Sequence, residues 1–136
     1  MGPITRLAIL DRGEPAVRLL AAVGNLGPTD AGGPVSTVMV LTEPRQRAWY
    51  AREADETVAV ATDGSVTEAG VVAALNRARV DAVWIGEVPG LEQLALVTAC
   101  EEAGLTVIGP NSATIRRAAD PDALAAAATR AGITHE

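Results

Sequence analysis

The sequence contains no lysine; all eleven basic residues are arginine, and seventeen acids leave a formal charge of −6. An acidic chain repels phosphate backbones, which argues against a nucleic-acid partner. Without lysine, the usual point-charge partner of nucleotide phosphates and any Schiff-base nucleophile are also missing. The single cysteine, Cys100, excludes an intramolecular disulfide and a cysteine-based zinc site. In a helical stretch it reads as a small hydrophobe. The single histidine, His135, stands next to the last residue, and there is no Gly-x-Ser-x-Gly elbow, so a Ser–His hydrolase is disfavoured. No run approaches the roughly 18 apolar residues of a membrane span. The first residues lack the basic-then-apolar pattern of a signal peptide, so the expected location is the cytoplasm. Phenylalanine is absent, and Trp49, Tyr50 and Trp84 are the only aromatics. The core must therefore come from Val, Leu, Ile and Ala.

Hydrophobic residues make up 49% of the 136 and charged ones 21%, a globular composition. One domain over residues 1–136 is expected. Residues 4–10, 35–41, 57–61, 81–86 and 105–108 read as strands. Helices are expected over residues 14–26, 44–54, about 65–79, 90–103, 111–117 and 121–132. Val17, Leu20 and either Ala21 or Gly24 share one face of the first helix. The second helix, opening at Pro44 with four charges, reads as short and exposed. Pro15 and Pro121 suit first turns, and Ser65 or Thr67, then Asn111 or Ser112, suit caps. Residues 27–34, with three glycines and two prolines, are a loop. Strands alternate with helices five times and are nearly all apolar, as when both faces are covered. The pattern implies an α/β fold: about five mostly parallel strands with helices on both faces.

Ligands of such a fold bind at the carboxyl ends of the strands. Those ends are Asp11–Glu14, Thr42–Glu43, Thr62–Gly64, Gly86–Gly90 and Gly109–Asn111. The first turn has one glycine where a dinucleotide fingerprint needs three, and no Walker pattern exists. On composition, Arg12 and Glu14 read as a structural corner. Asp11, Asp55, Glu56 and Asp63 would suit magnesium only if they converged; otherwise they are solvated loop acids. Glu87 opposes phosphate binding after the fourth strand. No residue is assigned a catalytic or metal-binding role.

Three segments in order carry a family resemblance. Residues 6–20, RLAILDRGEPAVRLL, are similar to a strand running into Asn-Arg-Gly-Glu and then Ala-x-Arg, matched by Asp11, Arg12, Gly13, Glu14, Ala16 and Arg18. Ala54, Asp55 and Glu56 match an Ala-Asp-Glu segment. Gly104, Ile108, Gly109, Pro110, Ile115, Arg116, Ala131 and Gly132 match a Gly-x-x-x-Ile-Gly-Pro-x-x-x-x-Ile-Arg stretch and the helix after it. Together they resemble the N-terminal domain of the biotin-dependent carboxylases, such as acetyl-CoA and propionyl-CoA carboxylase.

The resemblance implies a three-layer, Rossmann-like domain that precedes an ATP-grasp domain. It further implies a reaction of ATP and bicarbonate that carboxylates biotin on a carrier protein. Implied partners are an ATP-grasp domain or subunit in cis or in trans, the biotin carrier protein and a carboxyltransferase subunit. ATP, Mg2+ and biotin belong to the assembled enzyme, and none is expected on this chain alone. Asp11, Arg12, Gly13, Glu14, Arg18, Asp55, Glu56, Gly109, Pro110 and Arg116 are then structural or interdomain residues.

Two family loops depart. The family's His-Pro-Gly-Tyr-Gly reads Trp84, Ile85, Gly86, Glu87, Val88. Its Gly-Asp-Lys, whose lysine contacts ATP phosphates, reads Ala119, Asp120, Pro121. Gly86, Glu87, Val88, Asp120 and Pro121 are therefore degenerate ATP-facing positions. Residues 27–34 hold an insertion. The expectation is a scaffold domain of an acyl-CoA carboxylase, inactive alone. The alternatives are a diverged stand-alone binding or regulatory domain, and a small nucleotide-binding protein using backbone amides.

Overall fold

A computed structural model describes residues 2–30, 32–60 and 66–134. Five parallel strands form one sheet in the order β3-β2-β1-β4-β5. They are β1 (Arg6–Leu10), β2 (Ser36–Leu41), β3 (Glu56–Ala59), β4 (Ala82–Ile85) and β5 (Thr106–Ile108). The helices are α1 (Gly13–Gly24), α2 (Glu68–Ala78), α3 (Gln93–Glu102), α4 (Ser112–Ala119) and α5 (Pro121–Arg130). The chain steps outward from β1 to β3, then returns to place β4 on the other side of β1. The gap between β1 and β4 is thus the point where the winding reverses, the usual ligand crevice of such sheets.

Alternation along each strand feeds two cores, one per face. Ala8, Leu10, Val38, Val40, Val83 and Ile85 pack with α2 and α3. Leu7, Ile9, Met39, Leu41 and Ala82 pack with α1 on the other face. Register pairs Leu7 with Thr37 and Ala82, and Ile9 with Met39 and Trp84.

Three expectations need correction. Residues 44–54 are not a helix but two 3₁₀ turns, Arg45–Arg47 and Trp49–Ala51. Nor is the segment wholly exposed: Ala48, Tyr50 and Ala51 are buried in the α1-side core. Tight turns let neighbouring residues face opposite ways, so Tyr50 turns inward and Trp49 outward. On α1 the inward face is Ala16, Leu20 and Val23, while Val17 is exposed. Ala16, Leu20 and Val23, at spacings of four and three, form the stripe that meets the sheet, and Leu20 alone is common to it and the expected face.

Polar caps close the helices as their composition suggests. Thr67 Oγ1 accepts from Gly70 N at 3.0 Å, and Asn111 Oδ1 from Thr114 N at 2.8 Å. Asp120 Oδ1 accepts from Asp122 N and Ala123 N, with Pro121 opening α5. Ser65, the other candidate cap, lies outside the described residues, as do Thr62, Asp63, Gly64 and His135.

Candidate functional site at the carboxyl edge

At the β1–β4 crevice a side chain of the protein itself bridges the turns that follow the two strands. Asp11, the first residue after β1, has Oδ1 accepting from Arg12 N at 2.8 Å and from Glu87 N at 3.4 Å. Its carboxylate stands where a Cβ on residue 86 would project, so any larger residue there must displace it. Gly86 N also donates to Leu10 O at 2.7 Å, prolonging the ladder by one rung. Two amides that would otherwise face an anion are thus taken by an internal carboxylate.

Arg12 is extended and begins α1 without a side-chain cap, and Gly13 takes φ +63°. Glu14 meets Arg18 at 3.1 Å on the exposed surface of the helix. It also lies in the first turn, where the helix field favours negative charge. Beside this corner Tyr50 Oη donates to Glu43 Oε1 at 2.6 Å. Burial, then the Glu43 hydrogen bond, push the phenol above its ordinary range, and the nearby Arg12 guanidinium opposes them. Sequence reasoning named Glu43 only as part of a strand end and did not pair it with Tyr50.

The other motif residues go elsewhere. Gly109 turns at φ +125°, Pro110 follows, and Asn111 caps α4. Arg116 lies exposed on α4, its charge close enough to help lower Glu101. Asp120 and Pro121 start α5, separated from that turn by the eight residues of α4, about 12 Å. Glu87 is exposed, whereas Val88 is only 8% exposed and belongs to the buried cluster that holds Ile85 and Leu96.

Asp55 and Glu56 lie at the opposite, amino edge, and neither is a free loop acid. Asp55 Oδ2 accepts from Thr37 N at 2.8 Å and Thr37 Oγ1 at 3.1 Å, and Thr37 Oγ1 accepts in turn from Asp55 N. Glu56 takes a two-pronged contact from Arg6 at 3.0 and 2.9 Å, while Arg6 also donates to Ala78 O. Asp81 accepts from Thr5 N, Thr5 Oγ1 and Arg6 N. These contacts join β1, β2, β3, β4 and the end of α2. They tie the amino ends of the strands together. Asp11 therefore does not converge with Asp55 and Glu56, and no group of three metal-capable side chains exists among the described residues.

The residues of the crevice do not fit a nucleotide phosphate. The amides of Arg12 and Glu87 are engaged by the Asp11 carboxylate, and Glu87 adds a further anionic side chain. Among the described residues, no helix is long and apolar enough to cross a membrane.

Comparison with known proteins places this geometry. A family model described as biotin carboxylase, N-terminal domain, matches residues 3–115. The mitochondrial pyruvate carboxylase of Homo sapiens is 26% identical over 136 residues, covering 96% of this chain and 11% of that protein. Biotin carboxylase 1 of Bacillus subtilis is 27% identical over 134 residues, covering 96% and 28%. A complete multifunctional pyruvate carboxylase from Rhizobium etli superposes with a TM-score of 0.80 at 25% identity, over 99% of this chain and 13% of that one. The biotin carboxylase domain of a single-chain bacterial carboxylase gives 0.72 at 28%, over 94% and 29%. The chain thus spans well under a third of each of these relatives.

Proposed function

The chain belongs to the biotin carboxylase N-terminal domain family, and from that premise we propose that its 136 residues are the scaffold domain of a biotin-carboxylating enzyme, inactive alone. The observation that supports this reading is the Asp11 carboxylate at the β1–β4 crevice, which engages the amides of Arg12 and Glu87 and puts a negative charge beside them. The chain then binds neither ATP, Mg2+ nor biotin by itself, and these groups belong to the assembly. Arg12, Glu14 and Arg18, exposed at the carboxyl edge, order the first loop against the domains that complete the enzyme.

Partners are an ATP-grasp domain or subunit, a biotin carrier protein and a carboxyltransferase. Relatives of both arrangements support this, one a domain of a single-chain carboxylase and one a biotin carboxylase subunit of pyruvate carboxylase. An acyl-CoA acceptor was expected, yet the relatives bear the names of pyruvate and 2-oxoglutarate carboxylases. The proposal therefore stops at the step they share, carboxylation of biotin, since a different subunit chooses the acceptor.

The second reading, a stand-alone binding or regulatory domain, is favoured by one observation. The Asp120–Pro121 pair is a well-formed helix start and carries no cation. Mass spectrometry of proteins captured by the chain decides between the two: an ATP-grasp or biotinylated protein supports the scaffold, and neither supports the second reading. Calorimetry with ATP and magnesium tests the lost phosphate site. We expect no saturable binding below about 1 mM; micromolar affinity would overturn the scaffold reading.

A further inference from the structure

The two 3₁₀ turns that replace the expected helix present an unusual surface on an acidic chain. Arg45, Arg47 and Arg52 are all exposed, with Glu53 the one exposed acid among residues 44–53. Among the described residues, Arg47 and Arg52 make no ion pair or hydrogen bond, whereas Arg45 donates to Thr57 Oγ1. Trp49 stands between them, 61% exposed. It is held there from below: its neighbour Tyr50 is 4% exposed, bonded to Glu43, and meets the indole edge-on at 6.0 Å. An exposed tryptophan flanked by arginines has the composition of an interface hot spot.

Beside it lies a depression of about 550 Å³ with Arg45 and Arg52 on its rim and Ala48, Ala51 and Ala54 lining it. Asp55 and Glu56 also border it; Glu56 is ion-paired with Arg6, and Thr37 donates to Asp55. Within residues 45–52 the three arginines are the only charged side chains, with Glu53 and Asp55 following them. We propose that residues 45–52 form a docking surface for an acidic segment of a protein partner, its carboxylates on the arginines and an apolar side chain against the exposed Trp49 indole. The patch is small and the rest of the chain is strongly acidic, so a short carboxylate-bearing segment touching only these residues gains attraction without meeting the acidic surround. An extended polyanion or an anionic bilayer would meet both. This surface is distant in kind from the Asp11 crevice, and its test does not depend on the carboxylase reading.

The test is fluorescence anisotropy of a labelled synthetic peptide with glutamates on both sides of a central leucine, titrated with the full chain. Saturable binding is expected, weakening at least about tenfold between about 0.05 M and about 0.5 M salt as the charges are screened. Trp49→Ala, and Arg47→Glu combined with Arg52→Glu, should each weaken it about tenfold or more. Arg130→Glu on α5 should leave it unchanged. All these side chains are exposed, and far-ultraviolet dichroism checks that each variant is folded. The proposal is overturned by variants that bind like the original chain, or by equal binding of a peptide with lysine in place of glutamate. Tighter binding of a single-stranded oligonucleotide, or no saturable binding at about 1 mM peptide, overturns it as well. A sedimentation shift abolished by Trp49→Ala would make a second copy the occupant and overturn the acidic-segment assignment.

Discussion

The carboxylate of Asp11 occupies the space that a Cβ on residue 86 would need, so the two turns flanking the crevice are fitted to each other atom by atom. Gly86 does not have a positive φ, so its requirement is steric alone. Gly86→Ala must drive the carboxylate off Arg12 N and Glu87 N, costing about 1–3 kcal/mol. In an Asp11→Ala background the added methyl meets no carboxylate, and the same change should cost at least about 1 kcal/mol less. Denaturant unfolding of the four proteins measures that coupling. Strictly additive losses would show that the contact is not the reason for glycine.

Tyr50 is the chain's one tyrosine, so phenolate absorbance reports it alone. Burial first, and the hydrogen bond to Glu43 second, raise its pKa above the ordinary 10.0. The fold favours the neutral phenol. Its contribution to stability is therefore complete below pH about 10 and is lost as pH rises toward the folded value. On raising the pH, phenolate should appear only together with loss of tertiary dichroism. A phenolate titration centred near 10 in a chain that stays folded would refute the assignment. Tyr50→Phe should remove that part of the alkaline loss and leave Glu43 solvated.

Much of the fold is legible locally. Apolar runs broken by Gly and Pro give five strands, and Thr67 and Asn111 are caps that short-range chemistry anticipates, whereas the Asp120 cap of α5 is not read from the sequence. What escapes is contact between distant segments. Arg6 meets Glu56, Thr5 meets Asp81, and Asp11 meets Gly86, each across fifty or more residues. No periodicity marks such pairs, because the strand order that joins them is set by the whole sheet. The 3₁₀ turns escape for a related reason. Their arginine-rich composition suits an exposed helix, but burying Tyr50 and Ala48 against α1 decides their conformation. The carboxyl edge, where a sheet of this winding takes its ligands, is legible from the strand ends. That its own aspartate bridges it depends on two turns brought together only in the fold.

Three carboxylates give stability a defined acid limit. Arg6 hydrogen bonding holds Glu56 below its ordinary value of 4.5. Ser112, donating from Oγ at 2.6 Å and from N at 2.9 Å, does the same for Glu101, which thereby ties α3 to the start of α4. For Asp81 burial acts in the opposite direction, but hydrogen bonds from Thr5 and Arg6 outweigh it and leave it below 3.8. Lowered carboxylates stabilise the fold fully above their unfolded values and lose that contribution as pH falls through the folded ones. Thermal midpoints should thus be level above pH about 5 and fall steadily below about 4.5. Glu101→Gln keeps an acceptor for Ser112 but removes the charge, so it should lower the midpoint at neutral pH and flatten the acid fall. Asp81→Ala leaves the Thr5 and Arg6 donors without their acceptor and should cost about 1–3 kcal/mol at pH about 7. An acid profile unchanged in Glu101→Gln would remove Glu101 from the set of groups that the fold holds ionised.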